Sequence, residues 1–100
     1  TYKEFVAKYY PEGNLADGSN TYAYVAAQTM EQTLRQCGTD LSRENIMKQA
    51  ANLKDFTPDM LLPGIKLNTS PTDYFLFDQV QLAKFDGKIW VAMGDVIKAD

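Results

Sequence analysis

Apolar positions along the chain recur first at helical and later at strand spacing. Tyr2, Phe5, Val6, Tyr9 and Tyr10 follow the i, i+3, i+4, i+7, i+8 pattern, with Lys3, Glu4 and Lys8 opposite and Glu4 spaced to pair with Lys8, so the first segment predicts an amphipathic helix. Pro11, Gly13 and Asn14 break it, and residues 15–18 form a loop leading to the segment around which the chain is organised. That segment, 18–38, predicts one long helix. Ser19 or Asn20 supplies the cap, and Gly38 takes the left-handed conformation that ends the helix. Ala23, Ala27, Met30, Leu34 and Cys37 share one stripe, while Gln28, Glu31, Gln32, Arg35 and Gln36 form the wet face, with Glu31 four residues before Arg35 in the favourable order. A stripe that begins with alanines lets the backbone approach what it covers, most naturally a sheet.

Ser42 caps a third helix over about residues 43–53, with Leu41 and Ile46 placed as a hydrophobic staple and Ile46, Met47, Ala50 and Leu53 on its buried side. Beyond Lys54 the period shortens. Residues 61–68 read as a strand entered at Pro63, residues 69–73 as a turn, and residues 74–85 as a strand that alternates over its second half. Asp86-Gly87 signals a two-residue type I′ hairpin with positive φ at both positions, and Lys88 to Met93 form the return strand. One strand and a hairpin offer little area to three amphipathic helices, since a two-stranded ribbon is marginal alone. The fold class is therefore α/β, with most of the sheet expected from another part of a longer polypeptide or, failing that, from a partner chain.

Composition narrows the functions. At 100 residues, 45% hydrophobic and 23% charged, the chain has the composition of a globular protein of one domain or part of one. A net charge of −3, with no two Lys or Arg adjacent, lacks the electrostatic footprint of a nucleic-acid binder. No apolar run approaches the roughly 18 residues of a membrane span. The chain opens in helical register without an initiator Met, which reads as an internal cut, with an export signal expected upstream. Histidine is absent, so Ser-His-Asp, Cys-His and His-ligated zinc chemistry cannot be built from these residues alone. The lone Cys37, on the apolar stripe, is expected as a buried, inert thiol. Asp73, Asp78, Asp86 and Asp95 are the candidate acid/base carboxylates; Asp86 is accounted for by the turn, and the others have no partner nucleophile, so no enzyme activity, cofactor or metal is expected.

Four stretches carry a family likeness: Tyr22 to Leu34, Leu41 to Ala50, Leu62 to Tyr74 and Gln79 to Trp90. In that order they resemble the C-terminal third of ABC-transporter solute-binding proteins (periplasmic binding proteins) of the branched-chain amino acid, or Leu/Ile/Val-binding, type. The likeness lies in the ordered set and covers essentially the whole chain. It implies a bilobed type I binding-protein fold whose helices pack on a mostly parallel sheet supplied largely by the rest of the parent polypeptide. Residues 1–77 would belong to the first lobe and residues 78–100 to the hinge strand and hairpin of the second, with Phe77, Asp78 and Gln79 at the hinge.

The same likeness implies that Ser19, Asn20 and Tyr22, at the loop-to-helix turn, line the ligand cleft. The helix-end amides could donate there to a carboxylate, although Ser19 or Asn20 could equally serve as a cap alone. Ser19 stands where family members use an apolar contact. The implied function is capture of a small amino acid or an aromatic or aliphatic carboxylate outside the cytoplasm, in the periplasm or extracellular space, and delivery to a membrane permease. The alternative is a ligand-sensing domain of the same fold.

Overall fold

In the computed structural model, which describes residues 1–99, the helical half of the chain adopts the predicted elements with revised faces. Helix α1 spans Tyr2–Tyr9, α2 Gly18–Cys37 and α3 Arg43–Ala50. Helix α1 buries only Tyr2 and Val6, so Phe5, Tyr9 and Tyr10 of the predicted stripe remain exposed. Glu4 pairs with the amino group of Thr1 at 2.9 Å rather than with Lys8, whose ammonium sits 4.9 Å over the Tyr9 ring.

The cap of α2 is Asp17, not Ser19 or Asn20: its Oδ1 accepts the Ser19 N–H at 2.9 Å. At the other end Gly38 has the positive φ expected of it, 61°, but with ψ −124°. With the Asp40 N–H donating to the Cys37 carbonyl at 3.2 Å, this is a type II′ turn with glycine at its first central position rather than a left-handed cap.

The covered face of α2 is rotated away from the predicted stripe. Val25, Thr29, Thr33 and Cys37 are buried, and Ala23, Ala27, Met30 and Leu34 are exposed. Two threonines can lie inside because each hydroxyl bonds back one turn, Thr29 to the Val25 carbonyl at 2.8 Å and Thr33 to the Thr29 carbonyl at 3.0 Å. The glutamines of the supposed wet face form an interface. Gln28 clamps Asp59 by donating to its carboxylate at 3.2 Å and accepting its N–H at 3.0 Å. Gln36 donates toward the carbonyls of Gln49 and Asn52 near the end of α3. Only the Glu31–Arg35 pair lies on the solvent side as expected, at 2.6 Å.

Ser42 caps α3 as predicted, accepting the Asn45 N–H at 3.2 Å, but the helix ends at Ala50 rather than near Leu53. None of its residues is fully buried, and Met47, assigned to the buried side, is exposed. Thr69 closes its end by accepting the Leu53 N–H at 2.9 Å and donating to the Ala50 carbonyl at 2.7 Å.

The predicted strand over 61–68 is absent. Only Leu67 bridges, antiparallel to Phe56. Residues 62–65 instead make a type II turn, closed by the Ile65 N–H on the Leu62 carbonyl at 3.1 Å, with Pro63 at its second position and Gly64 at its third with φ 86°. The small core, Tyr2, Val6, Val25, Cys37, Leu53, Ile65 and Leu67, is confined to this half.

The remainder is ribbon. Four short strands, β1 Gln79–Val80, β2 Ala83–Phe85, β3 Trp90–Ala92 and β4 Ile97–Lys98, make two antiparallel pairs, β1 with β4 and β2 with β3. Of the single strand expected over 74–85, residues 74–78 are irregular and the rest is two pieces parted by Gln81-Leu82, where the Gln81 side-chain amide donates to the Leu82, Met93 and Gly94 carbonyls. At the hairpin tip only Gly87 has positive φ, 103°, and the Asp86 N–H donates to the Ile89 carbonyl at 3.0 Å. The central pair is therefore Gly87-Lys88, one residue later than the type I′ assignment.

The described chain exposes 7763 Å², against about 5,700 Å² for a compact monomer of this mass. Its radius of gyration is 15.9 Å, where about 13 Å is usual for this length.

The cap assignment is open to a direct test. Asp17→Ala should lower stability to urea by about 1 kcal/mol, whereas Ser19→Ala should change it by less than about 0.5 kcal/mol.

Candidate functional site

The start of α2 is held by Asp17 and Asn14, neither of which was expected as its cap. Asp17 accepts the Ser19 N–H, and its carbonyl takes the amides of Asn20 at 3.1 Å and Thr21 at 3.5 Å. Asn14 accepts the Ala16 N–H at 2.9 Å and, through its carbonyl, the Asn20 side-chain amide at 3.1 Å. The signal for Asp17 was present, since an aspartate immediately before Gly18 is as strong a cap as serine or asparagine.

The three predicted contact residues diverge. Ser19 is exposed, its amide committed to Asp17. Asn20 faces a 390 Å³ groove between α1 and α2 that is also lined by Tyr2, Phe5, Val6, Tyr24 and Ala27. Tyr22 lies elsewhere, its ring centroid 6.0 Å from that of Phe77 at an interplanar angle of 38°, within the range of a favourable aromatic pair.

Phe77, Asp78 and Gln79, expected as a hinge, lie on the connector between the helical half and the ribbon, with Gln79 opening β1. Gln79 Oε1 accepts the Lys66 N–H at 2.8 Å, tying the connector to the segment after the type II turn. The Asp78 carbonyl accepts the Ala99 N–H at 2.7 Å, and Gln79 pairs with Lys98 in the β1–β4 ladder. One side-chain oxygen of Asp78 is buried without a hydrogen-bond partner. Asp78 and Phe77 border a second concavity of 340 Å³ with Asp73, Phe75 and Ala99. The structure thus joins Tyr22 to the connector and leaves Ser19 and Asn20 apart from it.

The other carboxylates have local tasks or none. Asp73 accepts the Phe75 N–H at 3.0 Å, and Asp86 accepts the amides of Lys88 at 2.8 Å and Ile89 at 2.9 Å. Those two amides, Ile89 first, hold the Asp86 carboxyl below its ordinary value. Among the described residues no three metal-ligating side chains cluster.

Comparison of the chain with protein-family models, with curated proteins and with solved structures yields no significant match in any of the three. The family likeness therefore rests on the sequence stretches that carry it.

The Asp86 turn has a pH signature of definite sign. A carboxylate whose folded pKa is depressed contributes fully above its unfolded value and loses that contribution as pH falls through the folded one. The Lys88 and Ile89 amide resonances should titrate together with a midpoint below the ordinary 3.8. A midpoint at or above 3.8, or an Asp86→Asn variant that titrates unchanged, would contradict the assignment.

Proposed function

We propose that this chain is part of a two-lobed, extracytoplasmic solute-binding protein that captures a small amino acid or related carboxylate between its lobes and delivers it to the permease of an ABC importer. In this reading residues 1–77 complete the first lobe. Residues 78–100 provide a hinge strand and hairpin of the second, and an export signal precedes the chain. No bond is made or broken in the solute. Affinity comes from burying it as the lobes close, and release from opening them.

The observation that carries the reading is the contact of Tyr22 with Phe77. It sets the turn implied to meet the ligand against the connector implied to bend, which is where a closing cleft must have its apex. The uncovered stripe Ala23, Ala27, Met30 and Leu34 supports the larger fold, because small residues followed by Met and Leu suit a helix laid on a sheet. A parallel sheet covered on both faces by helices is the setting in which such stripes are buried.

The intact protein, purified without denaturation, should melt at a higher temperature and change its Trp90 fluorescence on titration with members of a panel of amino acids, aromatic acids, amides and urea. A ligand at about 100 times its Kd would add about 2.7 kcal/mol. No shift with any member would overturn the reading.

A further inference from the structure

We propose that the type II turn at residues 62–65 is the stop that sets the resting angle between the two lobes, because it holds both strands at the place where they cross. The proposal rests on the two-lobed binding reading and names the part of the fold that positions the hinge.

The turn is fixed to the helical half. Ile65, its last residue, and Leu67 are both buried, and Leu67 is bonded to Phe56 in both directions, donating to its carbonyl at 2.8 Å and accepting its N–H at 3.0 Å. Pro63 presets φ at the second position and Gly64 supplies the positive φ of the third, 86°, so the turn keeps one shape. It moves with the helices.

From that anchored position it reaches both strands. On the outgoing strand, Gln79 Oε1 accepts the Lys66 N–H at 2.8 Å, one residue beyond the turn. On the returning strand, Val96 packs against Gly64: a methyl group placed on the glycine would lie 3.3 Å from Val96 Cγ2, inside ordinary contact distance. Val96 is the only residue of 82–99 that is not exposed. It precedes Ile97, which pairs with Val80, so both contacts fall on the β1–β4 crossing. Swinging the ribbon away from the turn parts one hydrogen bond and one apolar contact, whereas swinging it toward the turn drives Val96 onto the Gly64 backbone. The first motion is cheap and the second is not, which is what makes the turn a stop.

Spin labels at Lys48→Cys on α3 and Lys88→Cys at the hairpin tip, both exposed positions, read the angle as a distance in the intact, solute-free protein. Gln79→Met combined with Val96→Ala removes both contacts, and the ratio of molecules at the original distance to those at all others should fall about five- to tenfold, the worth of one hydrogen bond and a small apolar contact. Gln79→Glu keeps an acceptor for Lys66 and should leave the ratio in place. Should the double variant fail to fold, Val96→Ala alone reads the same distance. A distribution unchanged in the folded variants, or an equal change in Gln79→Glu, overturns the stop, and the binding reading stands if solutes still move the distance. A distance that no variant and no solute moves overturns both. A shift in the variants with no response to any solute of the panel supports the stop and overturns the binding reading alone.

Discussion

A chain can hide apolar surface only between layers, and this one supplies few of its own. It is a slab, with extents of 50 × 38 × 16 Å. Helix α2 has two faces with claims to burial. Val25, Thr29, Thr33 and Cys37 meet cover supplied within the chain, and Ala23, Ala27, Met30 and Leu34 stay exposed, the two alanines at the edge of the groove with α1. The ribbon is in the same position on both sides: every residue of β2 and β3 is exposed, including the cross-strand pair of Phe85 and Trp90, 5.3 Å apart. An excess of about 2,000 Å² over a compact monomer is on the scale of a large obligate interface. The features of the fold that look unfinished are consequences of this one shortage.

That constraint explains what could be read from the sequence and what could not. That three helices form, and roughly where they stop or start, was legible because breakers and caps are local: Pro11 and Gly38 follow the ends of α1 and α2, and Ser42 caps α3. Which face meets the rest of the chain was not. A 3.6-residue period fixes neighbours on a helix without saying which stripe this chain covers. Of the apolar stripe predicted for α2 only Cys37 is buried, whereas the covered stripe is half threonine. Those threonines satisfy their hydroxyls within the helix, and Gln28 and Gln36 satisfy their amides on Asp59 and on the end of α3, so residues read as wet do the packing. The error over 61–68 has a similar origin. Leu62, Ile65 and Leu67 look like a strand by composition, but Pro63-Gly64 between them fits a type II turn, and only Leu67 is left to bridge.

The candidate site divides along the same line. Residues 77–79, which the resemblance implies as a hinge, lie between the helical half and the ribbon. The choice of Ser19 or Asn20 as cap failed because the helix starts earlier, at Gly18, and Asp17 takes the amides of Ser19, Asn20 and Thr21. The meeting of Tyr22 with Phe77 could not be seen in either segment alone, since neither spacing nor propensity relates residues so far apart. It depends on the path of residues 51–76, which contain no helix or multi-residue strand and are guided by Thr69, Asn68 and the Phe56–Leu67 bridge.

The connector also shows how two halves could move at small energetic cost. The chain leaves the helical half through Phe77-Asp78-Gln79 and returns beside it, with Val80 against Ile97, Gln79 against Lys98 and the Asp78 carbonyl on the Ala99 amide. Two strands therefore cross side by side at one place. The hydrogen bonds that hold α2 to α3 and to Asp59 lie wholly on one side of that crossing, and the β2–β3 ladder lies wholly on the other. A rotation about residues 77–79 disturbs neither set. Its main local costs are the Gln79 to Lys66 bond, a single neutral hydrogen bond of about 1 kcal/mol, the Tyr22–Phe77 contact of similar size, and the packing of the Val96 side chain against Gly64. In the proposed binding protein, contacts of that strength would bias the hinge toward one position without locking it.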